Sequence, residues 1–434
     1  MDAPASAIVE LRVGGFKSLA EDVRLPIRPL TILAGANSSG KSSALQPLLL
    51  LKQTLEASYD PGPLLLHGPH VRFTTVDQML SKMYNNVVTA PPIRAGIRLE
   101  GEDGDAFVST FRLLDVHALK LGSVRYRLAG IEGCVDVDFD KSAADNLQAN
   151  RKLLQDAYAD HFQPLRLRFF ALTNTNLDRT ILETVQKFRA AIAGCIHVPG
   201  TRGNPERSYP TAAIEKAFPG TFEKYTASIV HGWQERKAEE LEGLCADLRS
   251  LRLTWALEAR QVDAVQIELR VARHASPSPP QRWKSGDLVN VADVGFGVSQ
   301  VLPVLVALRV AEPGQLVYLE QPEIHLHPRA QVELARILAT AADRGVRVVA
   351  ETHSDLLLLS IRSLVAKGEL APESVILHWF EQRQDGSTEV TRAELDEAGA
   401  YGDWPEDFGD VSLRAEQDYL DAVEELALRG GRGR

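Results

Sequence analysis

The residues from Gly35 to Ser42, GANSSGKS, fit the pattern G-x-x-x-x-G-K-[ST] at every defined position. Glycines at both ends allow such a loop to curl until consecutive backbone N–H groups face inward and form a nest for phosphate oxygens. An apolar strand-like run precedes the loop and an apolar helix-like run follows it. Lys41 is predicted to reach the β- and γ-phosphates of a nucleotide, and the Ser42 hydroxyl to hold Mg²⁺. The residues assigned to the phosphates are Gly35, Ala36, Asn37, Ser38, Ser39, Gly40, Lys41, Ser42 and Ser43.

A buried-strand pattern, LVYL, ends at Glu320 much later in the chain. In P-loop enzymes a strand beside the phosphate loop delivers a carboxylate at its carboxyl end, and this acid organises the magnesium ion. Glu320 is therefore predicted to act with Ser42 on Mg²⁺, against the alternative of an acidic residue in solvent.

The residue after this acid is Gln321, at a position where a carboxylate usually orients or deprotonates the attacking water. A glutamine cannot accept that proton, although its amide can position a water by hydrogen bonds. Glu323 is the alternative base if the chain turns after Pro322, and the sequence leaves this choice open. Because general-base assistance is typically worth about 10²–10⁴-fold, we expect slow hydrolysis.

A third run, VRVVAETH, ends at His353 and predicts another buried strand. We expect its end to lie on the same sheet edge as the phosphate loop and Glu320. His353 is then placed to hydrogen-bond the γ-phosphate or the attacking water, whereas the alternative is a core histidine bonded to backbone. Ser354 is expected to cap the following helix.

The stretch VADVGFGVSQVLPVL places glycines at the start of an apolar helix. Gly295 and Gly297 suit close backbone approach to a ligand, and a helix N-terminus favours an anion. Ser299 and Gln300 follow at once. These four residues are predicted to contact nucleotide, against the alternative of an ordinary loop that enters a buried helix.

The formal net charge of −10 argues against a surface covered in positive charge, so contact with DNA requires a partner or a local basic patch. Solvated or salt-bridged arginines are the favoured alternative to such a patch. The arginines in question are Arg166, Arg168, Arg202 and Arg207. The H-x-H pair, His325 and His327, is predicted to be structural or interfacial, because two histidines without a third ligand rarely hold a metal.

The elements that must position these residues divide the chain into three parts. Residues 1–140 carry the phosphate loop and then patterns typical of antiparallel hairpins, residues 141–250 are mostly helical in pattern, and strands return in residues 251–434. Strand–helix alternation after Val289 predicts a largely parallel central sheet, and a helix is expected to begin near Lys41. The fold class is therefore α/β.

The bulk composition fits a globular protein of 434 residues, with 44% hydrophobic residues. Three distant cysteines give neither a disulfide framework nor zinc spacing. Because the start of the chain lacks a secretion signal and no apolar run is long enough to span a bilayer, a cytoplasmic protein without membrane contact is expected.

The order of these motifs resembles the heads of ABC-type ATPases, and the nearest branch looks like the SMC, RecF and OLD group. The stretch GGFKSLAEDVRLPIRPLTILAGANSSGKSS is similar to the opening strands and phosphate loop of that group. EQPEIHLHP and ETHSD resemble its acidic-strand and switch motifs, and GFGVSQVLPVL and DWPEDFGD resemble a bacterial subfamily of AAA proteins found in phage-defence systems such as Septu. The resemblance covers roughly residues 5–60 and 285–410.

This resemblance implies an ABC-type ATPase head, with a mostly parallel central sheet, an antiparallel β subdomain and a mainly helical insertion. It further implies ATP and Mg²⁺ as cofactors, a homodimer or higher oligomer around two ATP molecules, and a nuclease-like effector partner in antiviral defence. Two departures from the family pattern stand out: Gly295 replaces the usual signature serine, and Gln321 replaces the usual base. A non-hydrolysing ATP-dependent scaffold and a RecF-like repair ATPase are the alternatives.

Overall fold

The computed structural model describes the parts of the chain from which the fold is built. They are residues 6–81, 91–101, 105–115, 118–127, 134–142, 145–146, 165–168, 170–172, 178–214, 217–273, 288–402 and 417–421. The DWPEDFGD stretch lies outside these residues.

Strands and helices alternate in the last third of the described chain, whereas strands dominate its first third. The strands are β1 (Ile8–Gly14), β2 (Val23–Pro26), β3 (Leu30–Gly35), β4 (Ile93–Leu99), β5 (Ala106–Asp115), β6 (Ala118–Arg127), β7 (Cys134–Asp138), β8 (Leu165–Leu167), β9 (Phe170–Leu172), β10 (Ile196–Val198), β11 (Tyr209–Pro210), β12 (Leu257–Gln261), β13 (Gln266–Ala272), β14 (Leu288–Asn290), β15 (Leu316–Glu320), β16 (Arg347–Glu351), β17 (Val375–Gln382) and β18 (Thr388–Ala393). The α-helices are α1 (Lys41–Glu56), α2 (Asp178–Ala193), α3 (Thr226–Arg236), α4 (Glu239–Ser250), α5 (Phe296–Val310), α6 (Pro328–Asp343) and α7 (Asp355–Ala366).

The central sheet has the strand order β10-β15-β16-β3-β17-β18. All its neighbouring pairs are parallel except the last, β17 with β18. The predicted, largely parallel sheet is therefore present. Because β3, β15 and β16 run in the same direction, their carboxyl ends at Gly35, Glu320 and Glu351 meet at one edge.

A second sheet, β2-β1-β4-β5-β6-β7, is antiparallel throughout, as the hairpin patterns predict. A smaller sheet joins β11, β12 and β14 to β13. The segment expected to be a helical insertion, residues 141–250, contains α2, α3 and α4, but also the short strands β8, β9, β10 and β11. Of these strands, β10 forms the edge of the central sheet beside β15.

Hydrophobic residues cover both faces of the central sheet, because successive side chains of a strand point to opposite faces. Ile32 and Val317 belong to the core cluster that includes the helices α3 to α7. Leu33 and Tyr318, one residue further along, belong to the cluster with α1 and the antiparallel sheet. Within the described residues, no helix combines the length and apolarity needed to cross a membrane.

Substitution of Gly35 tests the junction between β3 and β17. Gly35 has φ 140° and Gly62 has φ 91°, so an alanine at either position costs about 1–3 kcal/mol of backbone strain. Only at Gly35 would the added Cβ lie 2.2 Å from the carbonyl oxygen of Phe380, whereas at Gly62 it meets nothing within 4 Å. We expect Gly35→Ala to lower the free energy of unfolding by more than Gly62→Ala in chemical denaturation. Equal losses would contradict this account of the junction.

Candidate nucleotide site

The phosphate loop leaves β3 and enters α1 within a few residues. Ala36, Asn37 and Ser38 are exposed at its tip, and Ser39 is buried, with a hydroxyl oxygen that has no partner among the described residues. Gly40 has φ 101°, and a Cβ there would lie 2.6 Å from Thr388 Oγ1, so the close packing on β18 favours glycine. Helix α1 begins directly afterwards and adds its positive N-terminal end to the loop.

Lys41 lies inside the loop, with 3% of its surface exposed. Its Nζ donates to the carbonyl oxygens of Gly35 at 3.0 Å and Ala36 at 2.6 Å. Burial lowers the pKa of Lys41, and the charge of Glu351 opposes that shift. An ammonium held by backbone carbonyls of its own loop is in place to bind phosphate oxygens.

The hydroxyl of Ser42 donates to Glu351 Oε1 at 2.9 Å. The other carboxylate oxygen of Glu351 accepts from the hydroxyl of Tyr318 at 2.9 Å. Burial raises the pKa of Glu351, and these two hydrogen bonds only partly offset it. The sequence contains Glu351 within VRVVAETH, but gives no signal that this acid, rather than Glu320, meets Ser42.

Glu320 is the cross-strand neighbour of Glu351, at the end of β15. Its carboxylate turns toward β10, where Oε1 accepts from His197 Nε2 at 3.0 Å and Oε2 accepts from the backbone N–H of Gly200 at 3.0 Å. Burial alone raises the pKa of Glu320, but the hydrogen bond and charge of His197 outweigh burial and hold the pKa below its ordinary value. The structure thus brings the predicted acid to the predicted edge with its oxygens on other partners.

A chain of polar contacts continues behind His197. Its Nδ1 lies 3.0 Å from Nδ1 of His70, and His70 Nε2 lies 3.2 Å from Glu56 Oε2. Glu56 also forms an ion pair with Lys52 at 2.7 Å. Burial lowers the pKa of His70, against the hydrogen bond to Glu56. His197 lies more than a hundred residues after the other three, and the four residues match no motif, so sequence reasoning missed them.

His353 lies beside the phosphate loop, as predicted. Burial and the charge of Lys41 lower the pKa of His353, and a hydrogen bond with the backbone of Gly35 opposes that shift. The net shift favours the neutral imidazole. Ser354 caps α7 by accepting from the N–H of Leu357 at 3.0 Å, which confirms the predicted cap.

Glu323, the alternative base, faces the strand end that carries His353. Its Oε1 accepts from Thr352 Oγ1 at 2.6 Å and from the backbone N–H of His353 at 3.1 Å. The residue is 8% exposed, and its Oε2 is buried without a partner among the described residues. The chain does turn after β15, because Gln321 takes a left-handed conformation with φ 45° and donates its N–H to the carbonyl of Glu351. Glu323 thereby fixes the backbone at His353.

The glycine-rich helix start is exposed at Gly295 and Phe296, and α5 begins at Phe296. A Cβ on Gly295 would meet nothing within 4 Å, and the Phe296 side chain is 51% exposed. Ser299 Oγ donates to the carbonyl of Phe296, and buried Gln300 donates to the carbonyl of Gly203 at 2.9 Å. The side chains of Ser299 and Gln300 thus bind their own chain, and the outward surface is formed by the residues before them.

Arg202 connects this helix start to the acidic strand. Its guanidinium donates to the carbonyl oxygens of Gln300 at 3.1 Å, Glu320 at 2.8 Å and Gln321 at 3.2 Å. Burial lowers the pKa of Arg202 to about 10. An arginine committed in this way is unavailable for nucleic acid.

The other arginines considered for a DNA patch are also engaged. Arg207 pairs with Asp293 at 2.7 Å, and Arg168 donates to the carbonyl oxygens of Thr54 and Ala57. The side chain of Arg166 lies outside the described residues. Arg168, Arg202 and Arg207 are therefore bonded within the protein, which was the favoured alternative to a DNA-binding patch.

The H-x-H pair has the structural role that was predicted. His327 caps α6 by accepting from the N–H of Arg329, and the ring of His325 lies 5.8 Å from the ring of Phe296. Among the described residues, no three His, Cys, Asp or Glu side chains form a group that could hold a metal ion.

Comparison with known proteins gives a family but no close relative. Residues 30–360 match the family described as "AAA domain, putative AbiEii toxin, Type IV TA system". No curated protein matches the chain.

Solved SMC head domains are among the structures similar to this chain. The crystal structure of the SmcHead bound to the C-winged helix domain of ScpA has 13% identity and a TM-score of 0.49, covering 90% of this chain and 99% of that chain. The SMC head domain from Thermotoga maritima has 10% identity and a TM-score of 0.43, covering 89% and 98%. The Smc head domain with an extended coiled coil, bound to the C-terminal domain of ScpA derived from Pyrococcus furiosus, has 12% identity and a TM-score of 0.46, covering 96% and 99%.

Removal of the Thr352 hydroxyl tests the role of Glu323. Thr352→Val keeps the shape of the side chain but removes the donor to the buried Glu323 carboxylate and the acceptor of the Ser354 N–H, so we expect the free energy of unfolding to fall by about 1–3 kcal/mol. Thr340→Val is the matched control, because Thr340 is exposed and its hydroxyl donates to a carbonyl of its own helix. Chemical denaturation of both variants measures the difference. A Thr352→Val protein as stable as the control would refute the role assigned to this hydrogen bond.

Proposed function

We infer that this chain, which belongs to the family described as "AAA domain, putative AbiEii toxin, Type IV TA system", binds ATP with Mg²⁺, hydrolyses it slowly and uses the bound state to control a partner. The family is one of P-loop ATPases. The finer statements, on the rate of hydrolysis, on dimerisation and on the partner, are our proposal.

One observation carries the proposal: Lys41, Ser42, Glu351 and His353 converge on the loop at the end of β3. Hydrogen bonds join Lys41 to the loop and Ser42 to Glu351, and a backbone hydrogen bond links His353 with Gly35. Ammonium, hydroxyl, carboxylate and neutral imidazole are the groups that an ATP-binding site needs around a triphosphate.

The donor set fits magnesium. Magnesium prefers hard oxygen ligands and usually binds proteins through one or two carboxylates plus substrate phosphates. Ser42 and the carboxylate of Glu351, at the end of β16, supply such oxygens beside the loop. When bound, the ion neutralises charge on the β- and γ-phosphate oxygens.

Slow hydrolysis follows from the side chains that surround the position of the attacking water. Gln321 cannot accept a proton, and Glu323 has one oxygen committed to Thr352 and His353 and the other buried. The lowered pKa of His353 favours its neutral form, which suits a residue that positions water or phosphate by hydrogen bonds. The same features favour the second candidate function, a scaffold that binds ATP without hydrolysing it.

Dimerisation around ATP is supported by the surface at the start of α5. Gly295 and Phe296 are exposed there, at the position that completes the partner's site in the ABC-type heads which this sequence resembles. An arrangement in which each subunit completes the site of the other is isologous. We propose a homodimer that restrains or releases a nuclease-like effector in antiviral defence, in the cytoplasm, where the free cysteines Cys134, Cys195 and Cys245 stay reduced.

Two substitutions test ATP binding and slow turnover together. Lys41→Ala removes the ammonium in the loop, and we expect calorimetric titration with ATP to show no binding. Gln321→Glu supplies a carboxylate beside the attacking water, and we expect the steady-state rate to rise by about 10²–10⁴-fold. The double variant controls for contaminating ATPase. No heat on titrating the wild type with ATP would overturn the proposal, and binding with no turnover in either the wild type or Gln321→Glu would favour the scaffold.

A serine at position 295 tests the dimer surface. Because a Cβ there meets nothing within 4 Å and Gly295 has an ordinary φ of −62°, Gly295→Ser should fold with unchanged thermal stability. We expect the added hydroxyl to strengthen the ATP-dependent dimer, measured by light scattering after size-exclusion chromatography. Gly402→Ser is the control, since Gly402 is equally open but lies elsewhere. A dimer population equal to that of the control would contradict a nucleotide interface at this helix start.

A further inference from the structure

Two carboxylates, Glu320 and Glu351, lie side by side at the ends of β15 and β16, and the sequence pattern predicts Glu320 as the magnesium ligand. We propose that Glu351, with Ser42, is the acid that binds the magnesium ion of the nucleotide, and that Glu320 is an internal residue held away from it. This inference rests on the proposed function, since it names the metal-binding residue of that same site.

The strand order places Glu351 closer to the phosphate loop. β16 lies between β15 and β3, and Glu351 pairs in register with Leu33, two residues before the loop begins at Gly35. Glu320 is one strand further away, because β15 has β16 and β10 as its neighbours. An acid directly beside the loop strand reaches Ser42 without crossing another strand.

The hydrogen bonds of Glu351 prepare it for a cation. Ser42 donates its hydroxyl proton to Oε1, so the lone pairs of the Ser42 oxygen point away from the carboxylate and are free to bind metal. The hydroxyl of Tyr318 donates to Oε2 and fixes the plane of the carboxylate. Tyr318 is fully buried, so its hydroxyl is held rigidly. Partners of this kind orient a metal ligand and tune its affinity.

The partners of Glu320 hold it where it is. His197 Nε2 and the N–H of Gly200 each occupy one of its oxygens at 3.0 Å, on the side of the strand that faces β10. Arg202 donates to the backbone carbonyl of the same residue and adds a positive charge nearby. Behind His197, the contact to His70 leads to the buried Glu56–Lys52 pair, so His197 itself has little freedom to turn.

The charges around Glu320 and Glu351 support the same assignment of the metal-binding acid. Glu320 accepts a hydrogen bond from His197 and has the positive charge of Arg202 nearby. Glu351 is buried between the negative charge of Glu320 and the positive charge of Lys41, which the proposed function assigns to phosphate. Glu351 must share the charge of Lys41 with the triphosphate, so it lacks a full counter-charge of its own. A divalent ion therefore stabilises Glu351 more than Glu320.

Magnesium-dependent nucleotide binding distinguishes the two acids without relying on catalysis. The dissociation constant of a fluorescent ATP analogue is measured with Mg²⁺ and with EDTA, and the affinity for Mn²⁺ in the presence of ATP is measured by electron paramagnetic resonance. We expect Glu351→Gln to reduce Mn²⁺ affinity by about tenfold or more and to abolish the difference between Mg²⁺ and EDTA. Binding of the analogue in EDTA should persist, because Lys41 and the loop remain.

Glu320→Gln is the matched control, with the same change at the neighbouring strand end. It should keep the Mn²⁺ affinity and the magnesium dependence of the wild type. Tyr318→Phe, which retains both acids, should weaken Mn²⁺ binding to an intermediate extent and so tests the assignment if Glu351→Gln does not fold. Loss in Glu320→Gln, alone or together with Glu351→Gln, would overturn the inference. A wild-type protein that binds no analogue under either condition would instead overturn the proposed function.

Discussion

Parallel pairing of β3 with β16 is the constraint on which the site depends. The register sets Glu351 opposite Leu33, so the strand that carries the acid ends two residues before β3 enters the phosphate loop. Since parallel strands all end at the same edge, residues more than three hundred positions apart meet there, as Ser42 and Glu351 do at 2.9 Å. A shift of one residue in this register would turn Glu351 to the opposite face of the sheet.

Two glutamates of the same length, on adjacent strands, acquire different chemistry from their neighbours. Glu320 meets an imidazole and a backbone N–H, which keep its pKa low, whereas Glu351 meets two hydroxyls in a more costly buried position, which leaves its pKa raised. Perturbed pKa values cluster at functional sites. The two acids therefore differ in environment rather than in residue type, and this difference is the basis on which we propose Glu351 as the metal-binding acid.

The sequence predicts those parts of the site that are local in the chain. The loop, the start of α1 at Lys41, the cap at Ser354 and the parallel sheet each follow from a few consecutive residues, and the structure contains all of them. The order of strands is different, because nothing in VRVVAETH says that β16 lies between β3 and β15. The prediction of Glu320 beside Ser42 assumed that the acidic strand adjoins the loop strand, whereas β16 lies between them. Strand β10 was not predicted, because it is a short strand within a segment of mainly helical pattern.

Arg202 connects helix α5 to the end of strand β15 by hydrogen bonds. One guanidinium donates to carbonyl oxygens on α5 and on the residues where β15 ends. Hydrogen bonds to a charged group are worth about 1.5–3 kcal/mol each. A shift of α5 at Gln300 would therefore break the Arg202 hydrogen bonds or move the turn at Gln321 with it. That turn already holds a glutamine in a left-handed conformation, and its N–H bonds to the carbonyl of Glu351. Helix α5, which begins at Phe296, is thereby joined through Arg202 and the Gln321 N–H to the backbone of the acid that contacts Ser42.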